Sequence, residues 1–352
     1  MYEIKINLAH KSYSIFIKNG LIDYIGKEIK KNYKNKKIAV ITDINVEKFY
    51  GEKIMQQFKN DFEVKMITVK PGEKSKSLDT LEYLYNELLD FEITRGDLII
   101  AFGGGVIGDI TGFAAATLLR GIPFIQIPTS LLAQIDSSVG GKVAVNLSRG
   151  KNLVGNFYHP EAVFIDPILL RTLDKRFLYD GMAEVIKYGC IRDEKLFKSL
   201  LEYENEHELF NNIEEIIFRC CSIKKEIVEK DEKDTGERML LNFGHTLGHA
   251  VEKYYNYEKY THGEAVAIGM YNITKRSEDM GITEIGTVSL IKEILKKYNL
   301  PYELPNMDKS NNIKTIGLDK KNKGSYMNIV LLKKIGNGFI KKIKREDIEK
   351  YI

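Results

Sequence analysis

Between residues 36 and 128 the chain alternates short, apolar, β-branched runs with stretches of helical period. That alternation predicts a parallel sheet covered by helices on both faces. Lys36–Asp43 (KKIAVITD), Phe62–Val69 (FEVKMITV), Asp97–Phe102 (DLIIAF) and Phe124–Pro128 (FIQIP) are the predicted strands. INVEKFYGEKIMQQF, LDTLEYLYNELLDF and VIGDITGFAAATLLR are the predicted helices between them, the second capped by Ser77. Ahead of them, MYEIKINLAHKSYSIFIKNG alternates like a hairpin and lacks the continuous apolar stretch of a signal peptide. Beyond about Ile168 the pattern changes. Arg176–Tyr203, Glu206–Lys230, Leu240–Tyr255, Glu264–Met280 and Val288–Tyr298 have helical period, and strands return at MNIVLL and GFIKKI. The expected fold is an α/β nucleotide-binding domain over residues 1–168 and a mainly α-helical domain over residues 169–352, with a cleft between them.

Composition narrows the function classes. With 53 basic against 49 acidic residues the net charge is +4, which gives no basis for a nucleic-acid or membrane surface as the main partner. No apolar run reaches the ~18 residues of a membrane span. Cys190, Cys220 and Cys221 are odd in number and lack CxxC spacing, so reduced, buried thiols and a cytoplasmic location are expected.

The third strand runs into FGGGVIGD, where Gly103, Gly105 and Gly108 satisfy GxGxxG at a strand-to-helix turn. Such a turn holds a dinucleotide pyrophosphate on backbone N–H groups at a helix N-terminus. A turn built only for close helix–sheet packing would show the same spacing. The next strand ends in IPTS, without the carboxylate that a ribose needs, whereas an earlier strand ends in Asp43 followed by Asn45. A nucleotide site of different strand order, with Asp43 and Asn45 on one ribose and Asp109 near the other, accommodates both facts.

In the second half, Glu184 (GMAEVIKYG), His245 (NFGHTLGHA) and His262 (THGEAVAIG) stand in glycine-framed contexts. One oxygen donor and two imidazoles suit a catalytic zinc with an open position. His245 and His249 are four apart and share a helix face, and Glu264 lies near His262. A histidine on a helix can equally be structural, and HExxH is absent.

GGGVIGDITGFAAATLLRG, PTSLLAQIDSSVGGKVAVN, GKNLVGNFYHP, GMAEVIKYG, LLNFGHTLGHAVE and HGEAVAIGM together closely resemble the 3-dehydroquinate synthase family of sugar phosphate cyclases. The resemblance runs from about Asp43 to Met270 and is weaker beyond. It implies a dehydroquinate synthase-like fold, NAD, and one Zn2+ that Co2+ can replace. It implies conversion of 3-deoxy-D-arabino-heptulosonate 7-phosphate to 3-dehydroquinate and phosphate, in the shikimate pathway to chorismate and the aromatic amino acids. It also implies a homodimer. By motif, Glu184, His245 and His262 become the metal ligands. Gly72, Glu73, Lys76, Gly105, Val106, Ile107, Gly108, Asp109, Thr129, Ser130, Lys142, Lys151, Leu169, Leu170, Arg171 and Thr172 become cofactor contacts. Asp136, Lys142, Asn152, Lys187, Lys224, Arg238, Asn242 and His249 line the substrate pocket, and Arg120 reaches a neighbouring subunit's phosphate site. Lys142 and Lys187, set inside apolar, glycine-rich blocks, are expected not to be solvated surface charges. Near the end, Asp319–Lys321 keeps the family's Asp-Lys-Lys, with Lys320 and Lys321 both open as substrate contacts, while Asn328 replaces a common arginine. A related cyclase such as 2-deoxy-scyllo-inosose synthase, or an NAD- and metal-dependent polyol dehydrogenase, is the alternative.

Overall fold

The computed structural model describes residues 1–33, 37–307 and 325–352; the expected substrate contacts within Asp319–Lys321 lie outside them. The chain forms two compact units, Met1–Leu173 with Ile213–Lys225, and Asp174–Asn212 with Glu226–Ile352. The expected boundary at residue 168 falls short of Leu173, and the first unit is not one continuous stretch. Ile213–Lys225 belongs to it because its side chains are used there. Phe218 stacks on Tyr2 at 4.6 Å, and the Cys221 thiol donates to the Gln134 carbonyl at 3.3 Å.

In the first unit the elements are β1 (Tyr2–Asn7), β2 (Ser12–Ile17), α1 (Ile25–Asn32), β3 (Lys37–Asp43), α2 (Ile44–Phe58), β4 (Glu63–Val69), α3 (Leu78–Asp90), β5 (Leu98–Gly103), α4 (Gly105–Thr117), β6 (Phe124–Pro128), β7 (Lys142–Leu147), β8 (Gly150–Phe157) and β9 (Ala162–Ile165). Among the described residues, the main sheet runs β1-β2-β9-β6-β5-β3-β4. β1 and β2 pair antiparallel and the other neighbours pair parallel. Successive residues of β3 and β5 serve opposite faces. Ala39, Ile41, Ile99 and Ala101 pack into one buried cluster, and Ile38, Val40, Leu98, Ile100 and Phe102 into the other. Both faces are therefore covered, as a parallel sheet requires.

β9 and the antiparallel β7–β8 hairpin were not foreseen from the sequence. β9 is four buried residues long, yet it joins β2 to β6 and so makes the N-terminal hairpin an edge of the main sheet. The helix expected to continue through LLR stops at Thr117, because Leu119 and Arg120 take left-handed φ of 51° and 67°.

The second unit is built on α5 (Lys175–Ile191), α6 (Glu194–Glu202), α7 (Glu206–Asn211), the end of α8 (Ile213–Lys230), α9 (His245–Tyr254), α10 (His262–Asp279) and α11 (Thr287–Lys297), with a hairpin of β10 (Tyr326–Lys334) and β11 (Asn337–Lys344). α10 packs on both α5 and α9. Three expected helices are each divided in two. The break after Ile191 follows from Asp193, whose carboxylate accepts from the Leu196 N–H at 3.0 Å and starts a new helix. The segment before α9 is a 3-10 turn ending at Asn242, because Gly244 turns the chain at φ 81°. No described helix is long and apolar enough to cross a membrane.

Candidate active site

Strand order places a crevice in the first unit. From β3 the chain steps to the edge strand β4, then crosses back to lay β5 on the other side of β3 and β6 beyond it. At such a reversal the carboxyl ends of neighbouring strands diverge and leave room for a nucleotide. β3 ends there at Asp43 and β5 at Gly103. α4 then begins on a glycine cap, Gly104, which has no side chain to satisfy the first-turn N–H groups, those of Gly105, Val106 and Ile107 among them. A Cβ on Gly108 would press on the Gln126 amide of β6, so the third glycine of the motif also serves close packing. Asp43 Oδ1 accepts from the N–H groups of Asn45 and Val46 at 2.9 and 3.2 Å, and so caps α2. Open helix N–H groups beside a capping carboxylate, at the reversal point, fit the pyrophosphate and ribose of a dinucleotide.

The other expected cofactor residues differ in their settings. The Thr129 N–H donates to the Gly103 carbonyl at 3.0 Å, and Ser130 Oγ accepts from the Ala133 N–H at 3.4 Å. Gly72 takes φ 98° and leads into the turn Glu73–Ser75. Lys76 is buried, and its ammonium donates to both Asp109 and Asn152. Burial pushes the Asp109 carboxyl above its ordinary value, against the pull of Lys76. Leu169 and Leu170 are buried, with Leu169 in the core beneath the sheet, whereas Arg171 and Thr172 are exposed. Thr172 Oγ1 lies 3.0 Å from the Tyr50 hydroxyl.

Of the expected substrate residues in this unit, Lys224 is buried and donates to the backbone carbonyl and carboxylate of Asp136, at 2.5 and 2.8 Å. Lys151 is half-buried beside the exposed Asn152. Lys142 corrects an expectation: it is exposed at the first position of β7, and burial begins only with Val143, Ala144 and Val145. Arg120 is exposed and left-handed, followed by Gly121.

In the second unit Glu184, His245 and His262 converge from α5, α9 and α10, their donor atoms all within 4.8 Å of one another. A Cβ on Gly263 would collide with the Asp180 carbonyl, so glycine lets α10 approach α5 closely enough to bring His262 to Glu184. Glu184 Oε1 is 3.6 Å from Nε2 of each histidine. Ligand atoms of a tetrahedral zinc, each ~2.0–2.1 Å from the ion, lie about 3.4 Å apart, so the spacing fits. His245 Nδ1 is 3.1 Å from the Phe243 carbonyl. A carbonyl only accepts, so Nδ1 carries the proton and Nε2 presents a lone pair toward Glu184. Burial lowers His245 to about 3, which keeps it neutral. Burial would lower His262 as well, but its bonds to Glu184 and Glu252 prevail and raise it to about 10.

The chemistry around the triad is graded. Lys187, fully buried, pairs with Glu184 one helical turn away. The His249 ring centroid lies 5.3 Å from that of His245 and 6.1 Å from that of His262, and His249 is exposed. Arg238 is buried and donates to the Glu232 carbonyl at 2.7 Å, while Asn242 is exposed. Asn328 lies on β10 with its amide 3.4 Å from the Met239 sulfur. Glu264, two residues after His262, accepts from Arg176 Nε and Nη2 at 2.8 and 2.9 Å and from the Thr261 N–H at 3.0 Å, so it caps α10. Glu252, unmarked in the sequence, is the missed residue. Buried on α9, it stands 3.6 Å from His262 Nδ1. Its only sequence signal is its i+7 position from His245, which returns it to nearly the same helix face.

Comparison with known proteins is consistent across the chain. Two family models match in succession, 3-dehydroquinate synthase N-terminal over residues 66–180 and 3-dehydroquinate synthase C-terminal over residues 181–322. A protein named 3-dehydroquinate synthase from Clostridium acetobutylicum is 58% identical over 100% of this chain and 99% of its own length. One of the same name from Clostridium botulinum is 59% identical over 97% and 98%. A crystal structure of 2-deoxy-scyllo-inosose synthase with carbaglucose-6-phosphate, NAD+ and Co2+ superposes with a TM-score of 0.86 at 25% identity, covering 100% of both chains. A 2-epi-5-epi-valiolone synthase from Streptomyces hygroscopicus, with NAD+ and Zn2+ bound, superposes with a TM-score of 0.88 at 24% identity, over 97% of this chain and 96% of that one, and speaks for the fold.

Proposed function

The chain belongs to the 3-dehydroquinate synthase family, and from that premise we propose that it converts 3-deoxy-D-arabino-heptulosonate 7-phosphate to 3-dehydroquinate and phosphate, the second step of the shikimate pathway. The observation that carries the reading is the Glu184–His245–His262 donor set, with its oriented imidazoles, in a chain that also has the nucleotide crevice. Glu184, His245 and His262 would hold Zn2+ or Co2+. The turn Gly105–Asp109, with Asp43, Asn45, Glu73, Lys76, Thr129 and Ser130, would hold NAD. When bound, NAD supplies a reversible hydride acceptor at C5, and the cation polarises hydroxyl oxygens.

The residues of the chain supply charge and position. Lys187 and Lys224 are buried cations whose ammonium groups are already oriented by Glu184 and Asp136. Such groups meet carboxylate and phosphate oxygens without losing further side-chain freedom. Arg238, tied to the Glu232 carbonyl, is oriented in the same way. His249 and Asn242, both exposed, would orient substrate hydroxyls or water. With C5 at the ketone level the substrate's C6 proton is acidic, and phosphate leaves from C7. After C5 is restored to an alcohol, the ring opens and its enol closes on the C2 ketone. The redox state of the product then equals that of the substrate. Arg120 on the exposed turn after α4 is the residue we assign to a partner's phosphate site in a homodimer. All three cysteines are buried, and burial raises the Cys190 and Cys221 thiols, which fits a cytoplasmic location.

The test is an assay of purified protein with NAD, zinc and the heptulosonate phosphate, following phosphate release and NADH absorbance together. Phosphate release that requires NAD without NADH build-up is the expected result. No phosphate release would refute the substrate, and steady NADH formation with a polyol would replace the reading with a dehydrogenase.

A further inference from the structure

Asn146 closes a ring of hydrogen bonds at the edge of the nucleotide crevice. Its N–H donates to the Lys76 carbonyl at 2.8 Å, and its Oδ1 accepts from the Asn152 N–H at 2.9 Å. The Lys76 ammonium donates to Asn152 Oδ1 and completes the cycle. The remaining group of Asn146, Nδ2, donates to Glu73 Oε1 at 2.7 Å. One side chain thus binds the 72–76 loop and the β7–β8 hairpin together.

The hairpin needs such a tie at this point. Val145 pairs with Val154 but Leu147 pairs with Gly150, so Asn146 alone faces Lys151, Asn152 and Leu153. The ladder is interrupted there, and Asn152 takes φ 58°. A left-handed residue other than glycine persists where its surroundings hold it. The side-chain Oδ1 of Asn146, accepting from the Asn152 N–H, replaces the missing ladder bond and fixes that conformation.

We propose that Asn146 is a positioning residue of the enzyme. It sets Glu73 and Lys76 for the cofactor and Asn152 for the substrate while touching neither ligand. This inference rests on the cofactor and substrate assignments made above. Glu73 is a carboxylate acceptor, so its bond from Nδ2 is charge-assisted and directional. An aspartate at position 146 keeps the acceptor for Asn152 but sets a second carboxylate against Glu73. A glutamine at position 73 would then supply a donor and restore that contact with its direction reversed.

The experiment is calorimetric titration of NAD into the full-length, zinc-loaded protein, with amide hydrogen exchange over residues 150–154 and steady-state kinetics alongside. Asn146→Ala is expected to weaken NAD about tenfold, the scale of one charge-assisted bond. The same variant should raise KM for the heptulosonate phosphate more than it lowers kcat, and remove NAD-dependent protection at 150–154. Asn146→Asp should weaken NAD less in the Glu73→Gln background than in the native one, a non-additivity that a general loss of stability does not produce. Native protein that binds NAD, with Asn146→Ala equal to it or with additive losses in the double variant, overturns the inference. Native protein that fails to bind NAD overturns the cofactor assignment first, and the inference falls with it.

Discussion

His262 Nδ1 lies 3.6 Å from Glu252 Oε2, while Nε2 of the same ring lies 3.6 Å from Glu184. The ring is therefore held between two buried carboxylates, one positioned to share a cation with it and one behind it. A carboxylate behind a liganding imidazole fixes the ring and raises its basicity. Glu252→Gln is expected to weaken zinc affinity about 10–100-fold, the usual scale for such a partner. Competition against a chromophoric chelator measures this directly. Unchanged affinity would show that Glu252 is packing alone.

Glu184→Ala should remove bound metal and activity together. The substitution also strips Lys187 of its partner in a fully buried position, so a loss of stability is expected beside the loss of metal. Elemental analysis of purified protein separates the two effects, because Glu184→Gln keeps the volume and should still lack metal. Full metal occupancy and normal turnover in either variant would sink the ligand assignment.

The triad was legible because glycines frame its members, and the same glycines permit the close helix approach that joins them. Glu252 was not legible. In LGHAVEKYY it resembles any surface glutamate, and only the packing of α9 on α10 buries it. Lys142 and Lys187 show the same limit from the other side. Both sit in apolar, glycine-rich blocks, yet the first is exposed at the start of β7 and the second is buried within α5. The main sheet was legible from period and β-branching, except for β9. Four buried residues after a hairpin carry too short a pattern to mark a strand. Helix breaks at Asp193 and Gly244 were hidden because apolar spacing runs on across a cap.

Lys76 and Asp109 form a pair in which the lysine is almost wholly buried. Lys76→Met is expected to destabilise the protein by about 3 kcal/mol, the lower end for breaking a buried ion pair. The lower end applies because burial already holds the Asp109 carboxyl above its ordinary value, so it can take up a proton when orphaned. Asp109→Asn in the same background should recover part of the loss. Urea unfolding of the two variants and the double variant gives the cycle, and additive losses would contradict the coupling.

Arg176 and Glu264 give the acid dependence a testable sign. Burial would raise the Glu264 carboxyl, but the bonds from Arg176 and from the Thr261 N–H outweigh it and leave it below its ordinary value. A carboxyl lowered in the folded state stabilises above the unfolded value, ~4.3, and that contribution fades as pH falls through the folded value. Arg176 is more than half exposed, so the pair contributes little. Arg176→Ala should lower the melting temperature by no more than about 2 °C at pH 7. The gap between variant and native protein should then close as the pH is taken below ~4. Thermal melts from pH 7 down to ~3 measure it, in the range where the carboxyl titrates. A gap that stays constant over that range would mean the arginine stabilises α10 by packing and not through the charge on Glu264.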